Sequence, residues 1–101
     1  MVEKASLEKS LAEYQIPGSL HGGIIRWVCD GIPPGSFLKR IIENDAEGAT
    51  LRADQVNVHH VAKLLLWFTR EAPAECWGSN TNILDWIYQH KRKIENGQTG
   101  T

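Results

Sequence analysis

The tripeptide Pro-Gly-Ser occurs twice, 17 residues apart, and opens the same phrase each time: Pro17-Gly18-Ser19-Leu20 leading to Ile24-Ile25, and Pro34-Gly35-Ser36-Phe37 leading to Ile41-Ile42. Proline ends what precedes it, serine is a favoured helix cap, and apolar residues at i, i+4 and i+5 share one helical face. The chain is thus predicted to start two short helices in immediate succession, capped by Ser19 and Ser36. This punctuation says more about how the chain folds than about what it does.

Helical spacing extends to both sides of that pair. Leu7, Leu11 and Tyr14 predict a first helix over Ser6 to Gln15, ended by Pro17. The second runs from Ser19 to Asp30 with Leu20, Ile24, Trp27 and Val28 inward, and Gly31, Pro33 and Pro34 stop it. Phe37, Leu38, Ile41, Ile42 and Ala46 form the inner face of the third; Ala49 to Ala53 reads either as its continuation or as a separate turn. Asp54 caps a fourth and central helix over Gln55 to Arg70, with Val58, Val61, Leu64, Leu65 and Phe68 on its core stripe. A loop from Pro73 then leads to a last helix from Asn80 or Thr81, which closes on His90-Lys91-Arg92-Lys93.

The expected fold class is all-α: a compact bundle of four to five short helices in one domain. Within it, residues 1–15 form an N-terminal helix or arm, 16–90 the helical core, and 91–101 a polar tail. A length of 101 residues with 42% hydrophobic content supports one modest core, too small for a deep active-site cleft within one subunit. Net charge is −1, so no global field draws the chain to nucleic acid or to a membrane. The apolar runs are far shorter than the roughly 20 residues that span a bilayer. Glu3, Lys4, Glu8 and Lys9 are unlike a secretory leader, and Cys29 and Cys76, without a CxxC, read as two buried thiols of a cytoplasmic protein.

Motifs for covalent or metal chemistry are not visible. His21, Cys29, His59, His60, Cys76 and His90 show no zinc-type spacing, and no nucleophile elbow surrounds either cysteine or the two serines. The reading is a non-enzymatic protein with no cofactor and no catalytic residue. His59 and His60 read as one buried and one solvated residue.

Binding features are more informative. Gly22 and Gly23 each cost about 1 kcal/mol against alanine in a helix, which calls for close helix packing or for close approach to a ligand. A helix N-terminus offers free N–H groups and partial positive charge, and in the second phrase Lys39 and Arg40 follow within a turn. Gly35, Ser36, Lys39 and Arg40 are therefore a candidate phosphate site, against the plainer reading of a capped helix with solvated cations. Trp77, followed by Gly78 and Ser79, is the tryptophan least explained by helix periodicity. It is either an interaction element that stacks on a base or a partner, or a loop aromatic folded back over the core. A helix-turn-helix across the second and third helices is a further alternative, weakened by apolar Phe37 and Leu38 where a recognition helix should be polar.

The ordered phrases Gly31-Ile32-Pro33-Pro34-Gly35-Ser36-Phe37-Leu38, Glu43-Asn44-Asp45, Arg52-Ala53-Asp54, Ala72-Pro73 and Cys76-Trp77-Gly78-Ser79 resemble a family of small proteins of tailed bacteriophages and prophages. The resemblance covers Ile16 to Ile87 and leaves residues 1–15 and 90–101 outside. It implies action in the cytoplasm of an infected bacterium, by binding, against host defence. The expectation that follows is a homo-oligomer that sequesters a phosphate-bearing nucleotide signal at Gly35, Ser36, Lys39, Arg40, Trp77, Gly78 and Ser79. The alternatives are an inhibitor or regulator that binds a host defence protein, and a small nucleic-acid-binding regulator.

Overall fold

The computed structural model describes residues 3–55 and 57–100, with side chains to Arg92. Among them are six α-helices and no strand: α1 (Lys4–Glu13), α2 (Gly18–Asp30), α3 (Ser36–Ile42), α4 (Ala46–Arg52), α5 (Val61–Glu71) and α6 (Asn80–Gly100). Short 3-10 turns at Asn57–His60 and Ala74–Cys76 introduce α5 and α6. The fold is all-α as expected, and its radius of gyration of 13.7 Å is close to the roughly 13 Å of 100 compactly packed residues.

Helix α5 is the hub. Leu64, Trp67 and Phe68 are fully buried on one of its faces, and α1, α3 and α4 all pack against it. Trp67 and Phe68 meet edge to face with ring centroids 5.0 Å apart, a favoured aromatic geometry. The helix begins six residues later than periodicity predicts, because Asp54 Oδ1 accepts from Asn57 N–H at 2.7 Å and closes a tighter 3-10 turn first. Val58, expected in the core, stands on that turn and is exposed; Val56 lies outside the described residues.

Of the two readings of residues 1–15, helix or arm, α1 is the helix, and it packs on α5. Leu7 and Leu11 of α1 are buried, and Trp67 Nε1 donates to Ser10 Oγ at 2.9 Å. The expected polar tail continues as helical backbone to Gly100, with Lys93 and later side chains outside the described set.

The uncertain stretch after the third helix is a separate helix, which brings the count to six. Asn44 adopts a left-handed conformation with φ 61°, which ends α3, and Asp45 Oδ1 then accepts from Gly48 N–H at 2.9 Å to cap α4. Ala46, expected on the inner face of the third helix, is the exposed first residue of α4.

Of Gly22 and Gly23 in α2, Gly23 has a packing answer. A Cβ on Gly23 would stand 3.2 Å from Leu38 Cδ1, so glycine lets α2 lie close to α3. Gly22 is exposed, and the atoms nearest a Cβ there belong to the far end of its own helix's Arg26 side chain, 3.1 Å away, so close helix packing does not account for it.

Candidate functional site

The twin Pro-Gly-Ser phrases do start helices, but the serines are not the caps. Pro17 caps α2 and Gly35 caps α3, neither through a side chain, so Ser19 and Ser36 stand one or two residues inside and face solvent. The serine that does cap is Ser79, whose Oγ accepts from Asn82 N–H at 3.1 Å at the start of α6.

The seven expected ligand residues do not assemble into one site. Gly35 and Ser36 lie at the N-terminal end of α3, whereas Gly78 N–H donates to Ile42 O at its C-terminal end. Six residues of helical rise, about 9 Å, separate the two ends. Arg40 turns to carboxylates, 3.4 Å from Glu43 Oε1 and 3.7 Å from Asp45 Oδ2, so its charge is compensated. Trp77 is half-buried against Phe68 with centroids 5.7 Å apart, and its carbonyl accepts from Asn82 Nδ2 at 2.8 Å. It is the loop aromatic folded over the core. Gly78 has φ 104°, which lets the chain turn from that aromatic into α6. Of the seven, Gly35, Ser36, Lys39 and Gly78 stay solvent-exposed, and Lys39 alone borders an apolar groove.

That groove is what the sequence reading missed. The segment Gly31–Gly35 and α3 run alongside α6 in the opposite direction, and two contacts fix the register. Gly31 packs under the His90 ring, and Ile42 is hydrogen-bonded to Gly78 at 2.6 Å. Between these points a groove of about 280 Å³ opens, with Trp27 and Ile42 among its lining, Pro33 and Pro34 on one wall, and Ile83, Leu84 and Ile87 on the other. Leu84 (58% exposed), Tyr88 (64%) and Ile32 (49%) extend apolar surface at this side of the molecule. The overlooked signal is the width of the apolar face of α6. Ile83, Leu84, Trp86, Ile87 and Tyr88 are five apolar residues in six positions, more than a core-facing stripe of one helix requires.

The groove is held in shape by tryptophans. Trp27 Nε1 donates to Cys76 O at 2.8 Å, and Trp86 Nε1 donates to Trp27 O at 2.9 Å, which ties α2 to the turn before α6 and to α6 itself. The Trp86 ring also packs on His90, centroids 4.7 Å apart, and His90 Nδ1 lies 3.0 Å from Trp86 O. His90, expected in the polar cluster with Lys91, Arg92 and Lys93, is half-buried and packs on Trp86.

A second concavity, about 590 Å³ and wide open, is lined by Arg40, Asp45, Glu47, Gly48, Leu51 and Arg52. Its two arginines are matched by two carboxylates, and Gly48 is occupied by the capping Asp45 carboxylate and the Arg40 stem. It offers no net charge to an anion.

Both thiols are free. Cys76 is fully buried, and burial first, then the neighbouring Glu75 charge, push its thiol up to about 12. Cys29 is half-buried and is also raised, by burial and then by Asp30. Thiols displaced in this direction are poor nucleophiles. Among the described residues no three His, Cys, Asp or Glu side chains are grouped to hold a metal ion, and no helix is long and apolar enough to cross a membrane. His59 is exposed and His60 half-buried, with its Nδ1 atom buried and without a hydrogen-bond partner.

No protein-family model matches the chain. No curated protein and no solved structure matches it either.

Proposed function

We propose that this chain is a non-enzymatic binding protein that engages another protein, by accepting its apolar side chains in the groove between Gly31–Gly35 and α6. The observation that carries this reading is the groove itself: about 280 Å³, walled by Pro33, Pro34, Ile83, Leu84 and Ile87, with Lys39 as its one charged lining residue. Its volume sits at the lower edge of small-molecule sites, which run from roughly 300 to 1,000 Å³, and it lacks the convergent polar groups such sites use to orient a ligand. It suits one or two apolar anchors of a protein partner, the way interface hot spots fill pockets.

Sequestration of a phosphate-bearing nucleotide is supported less well by this geometry. A phosphate would meet Lys39 without Arg40, and a base would not reach Trp77 from the same place. Calorimetric titration with cyclic and linear nucleotides checks it, and a ligand bound more tightly than about 10 μM would restore it. The helix-turn-helix reading has equally little to use, since α3 presents Ser36 and Lys39 to solvent while burying Leu38, Ile41 and Ile42. The phage-like phrases supply the setting within which this reading is placed: a bacterial host protein of a defence system as the partner.

The test is affinity capture from bacterial lysate with the native chain and with Leu84→Asp, a change at an exposed position. One protein retained in stoichiometric amount by the native chain and lost by the variant is the expected result. Equal retention by both, or none by the native chain, contradicts the reading.

A further inference from the structure

Resting on the protein-binding reading, we infer that the groove's occupant is an acidic amphipathic helix. Two peptide-recognition modes fit an elongated apolar groove, strand addition and helix insertion. Strand addition needs a row of free backbone N–H groups, and the extended wall does not have one. Pro33 and Pro34 carry no N–H, and Ile32 N–H is already donated to Arg26 O at 3.3 Å. The other wall is α6, whose amides from Ile83 onward are donated within the helix. Side-chain insertion from a partner helix remains.

The charge of that partner follows from the rim. Lys39 borders the end of the groove near Asn80. On α6, Leu84, Ile87, Tyr88 and Lys91 fall at i, i+3, i+4 and i+7, so the apolar stripe ends on an exposed cation. Asp85, the nearest acid in sequence, is rotated about 100° off Leu84, away from the Lys91 side. No carboxylate lines the groove. From Asn80, where Lys39 borders the groove, to Lys91 is roughly 16 Å of helical rise, so two cations bracket the strip at a spacing of about three turns. A helix with apolar residues at i+4 and i+7 between carboxylates at i and i+11 is complementary to that pattern. A second copy of this chain docked α6 to α6 would set Lys91 and Lys39 against cations, which complementarity disfavours.

The experiment uses two fluorescently labelled 16-residue helical peptides with one shared apolar stripe, one with glutamate and the other with lysine at the bracketing positions. Fluorescence polarisation against the full chain at low salt should give the acidic peptide an affinity at least about tenfold higher, falling as salt rises. Lys39→Glu with Lys91→Glu should invert the preference, and Leu84→Asp should abolish binding of both. Circular dichroism checks that these surface variants keep their helix content. Equal affinity for both peptides, lost in Leu84→Asp, would overturn the acidic assignment and leave the groove as a protein site. Binding unaffected by Leu84→Asp, or no binding of either peptide, would overturn the inference, and the lysate capture then decides the broader reading separately. A dimer by light scattering that Leu84→Asp converts to monomer would overturn it in favour of a second copy.

Discussion

The indole N–H of Trp86 donates to the backbone carbonyl oxygen of Trp27 across 2.9 Å, and that oxygen also accepts Gly31 N–H at 3.0 Å as the last turn of α2 closes. The indole of Trp27, in turn, donates to Cys76 O in the fully buried interior. These bonds are unequal in what their loss leaves behind. Trp86→Phe leaves Trp27 O still paired with Gly31, and a cost of about 1–2 kcal/mol is expected. Trp27→Phe strands a buried carbonyl and opens a void in the core, for about 2–4 kcal/mol. Urea unfolding midpoints for the two variants check the order.

Gly31 and Gly35 should respond unequally to alanine. Gly31 has φ 67°, and a Cβ there would lie 2.7 Å from His90 Cβ, so Gly31→Ala should cost about 2–4 kcal/mol through strain and displacement of His90. Adding His90→Ala should recover only the part due to the imidazole ring, since alanine keeps the Cβ 2.7 Å away, and should leave the conformational part. Gly35 has φ −65° and nothing within 4 Å of a built Cβ, but it is the cap of α3, where alanine is less favoured than glycine. This opposes the gain in unfolded-state entropy, so Gly35→Ala should stay within about 1 kcal/mol of the native chain. Thermal unfolding of the three variants separates these outcomes.

The Cys76 thiol predicts an alkaline limb of stability. Its folded value of about 12 exceeds the ordinary 9.0, so between these values the unfolded chain has lost a proton that the folded chain keeps. Stability on this account is fully present below pH 9 and falls as pH rises toward 12, at about 1.4 kcal/mol per pH unit. Cys76→Ala should remove that share of the slope, read by comparing urea midpoints of the two proteins from pH 8.5 to 10.5. The same burial should leave Cys76 unmodified by a thiol reagent at pH 8 until denaturant is added.

Ser79 and Ser36 test which serine is the cap. Ser79→Ala removes the acceptor of Asn82 N–H and should cost about 1 kcal/mol. Ser36→Ala changes an exposed residue inside the first turn of α3 and should stay within about 0.5 kcal/mol. Chemical denaturation of both variants is sufficient.

What was legible in the chain was what local rules decide. Leu7 and Leu11, Ile24 and Val28, and Leu64 and Phe68 lie four residues apart and are buried as their periodicity requires, and Gly31 ends α2 as glycine should. The break at Asn44-Asp45 was not legible, because Asn44 takes its left-handed turn only when Asp45 finds Gly48 to cap. Likewise Ser36 reads as a cap from spacing, and only the backbone shows that Gly35 occupies the cap position.

The candidate site fared differently for a physical reason. Its seven residues were joined by chemical type, and Arg40 is neutralised by Glu43 and Asp45, neighbours whose geometry is set by a helix end. Trp77 was visible as an aromatic without a period, but its contact with Phe68 is a tertiary fact. The groove arises because α6 is pinned at Gly78 and His90 and stands off between them, which no single segment encodes.

The most direct test is amide hydrogen exchange of the full chain, alone and with the protein it captures. Protection gained over residues 32–42 and 80–88, with no change over 51–66, is the predicted result, since those first segments wall the groove. Protection confined to 51–66, where Leu51, Val58 and Leu66 are exposed, would contradict the account.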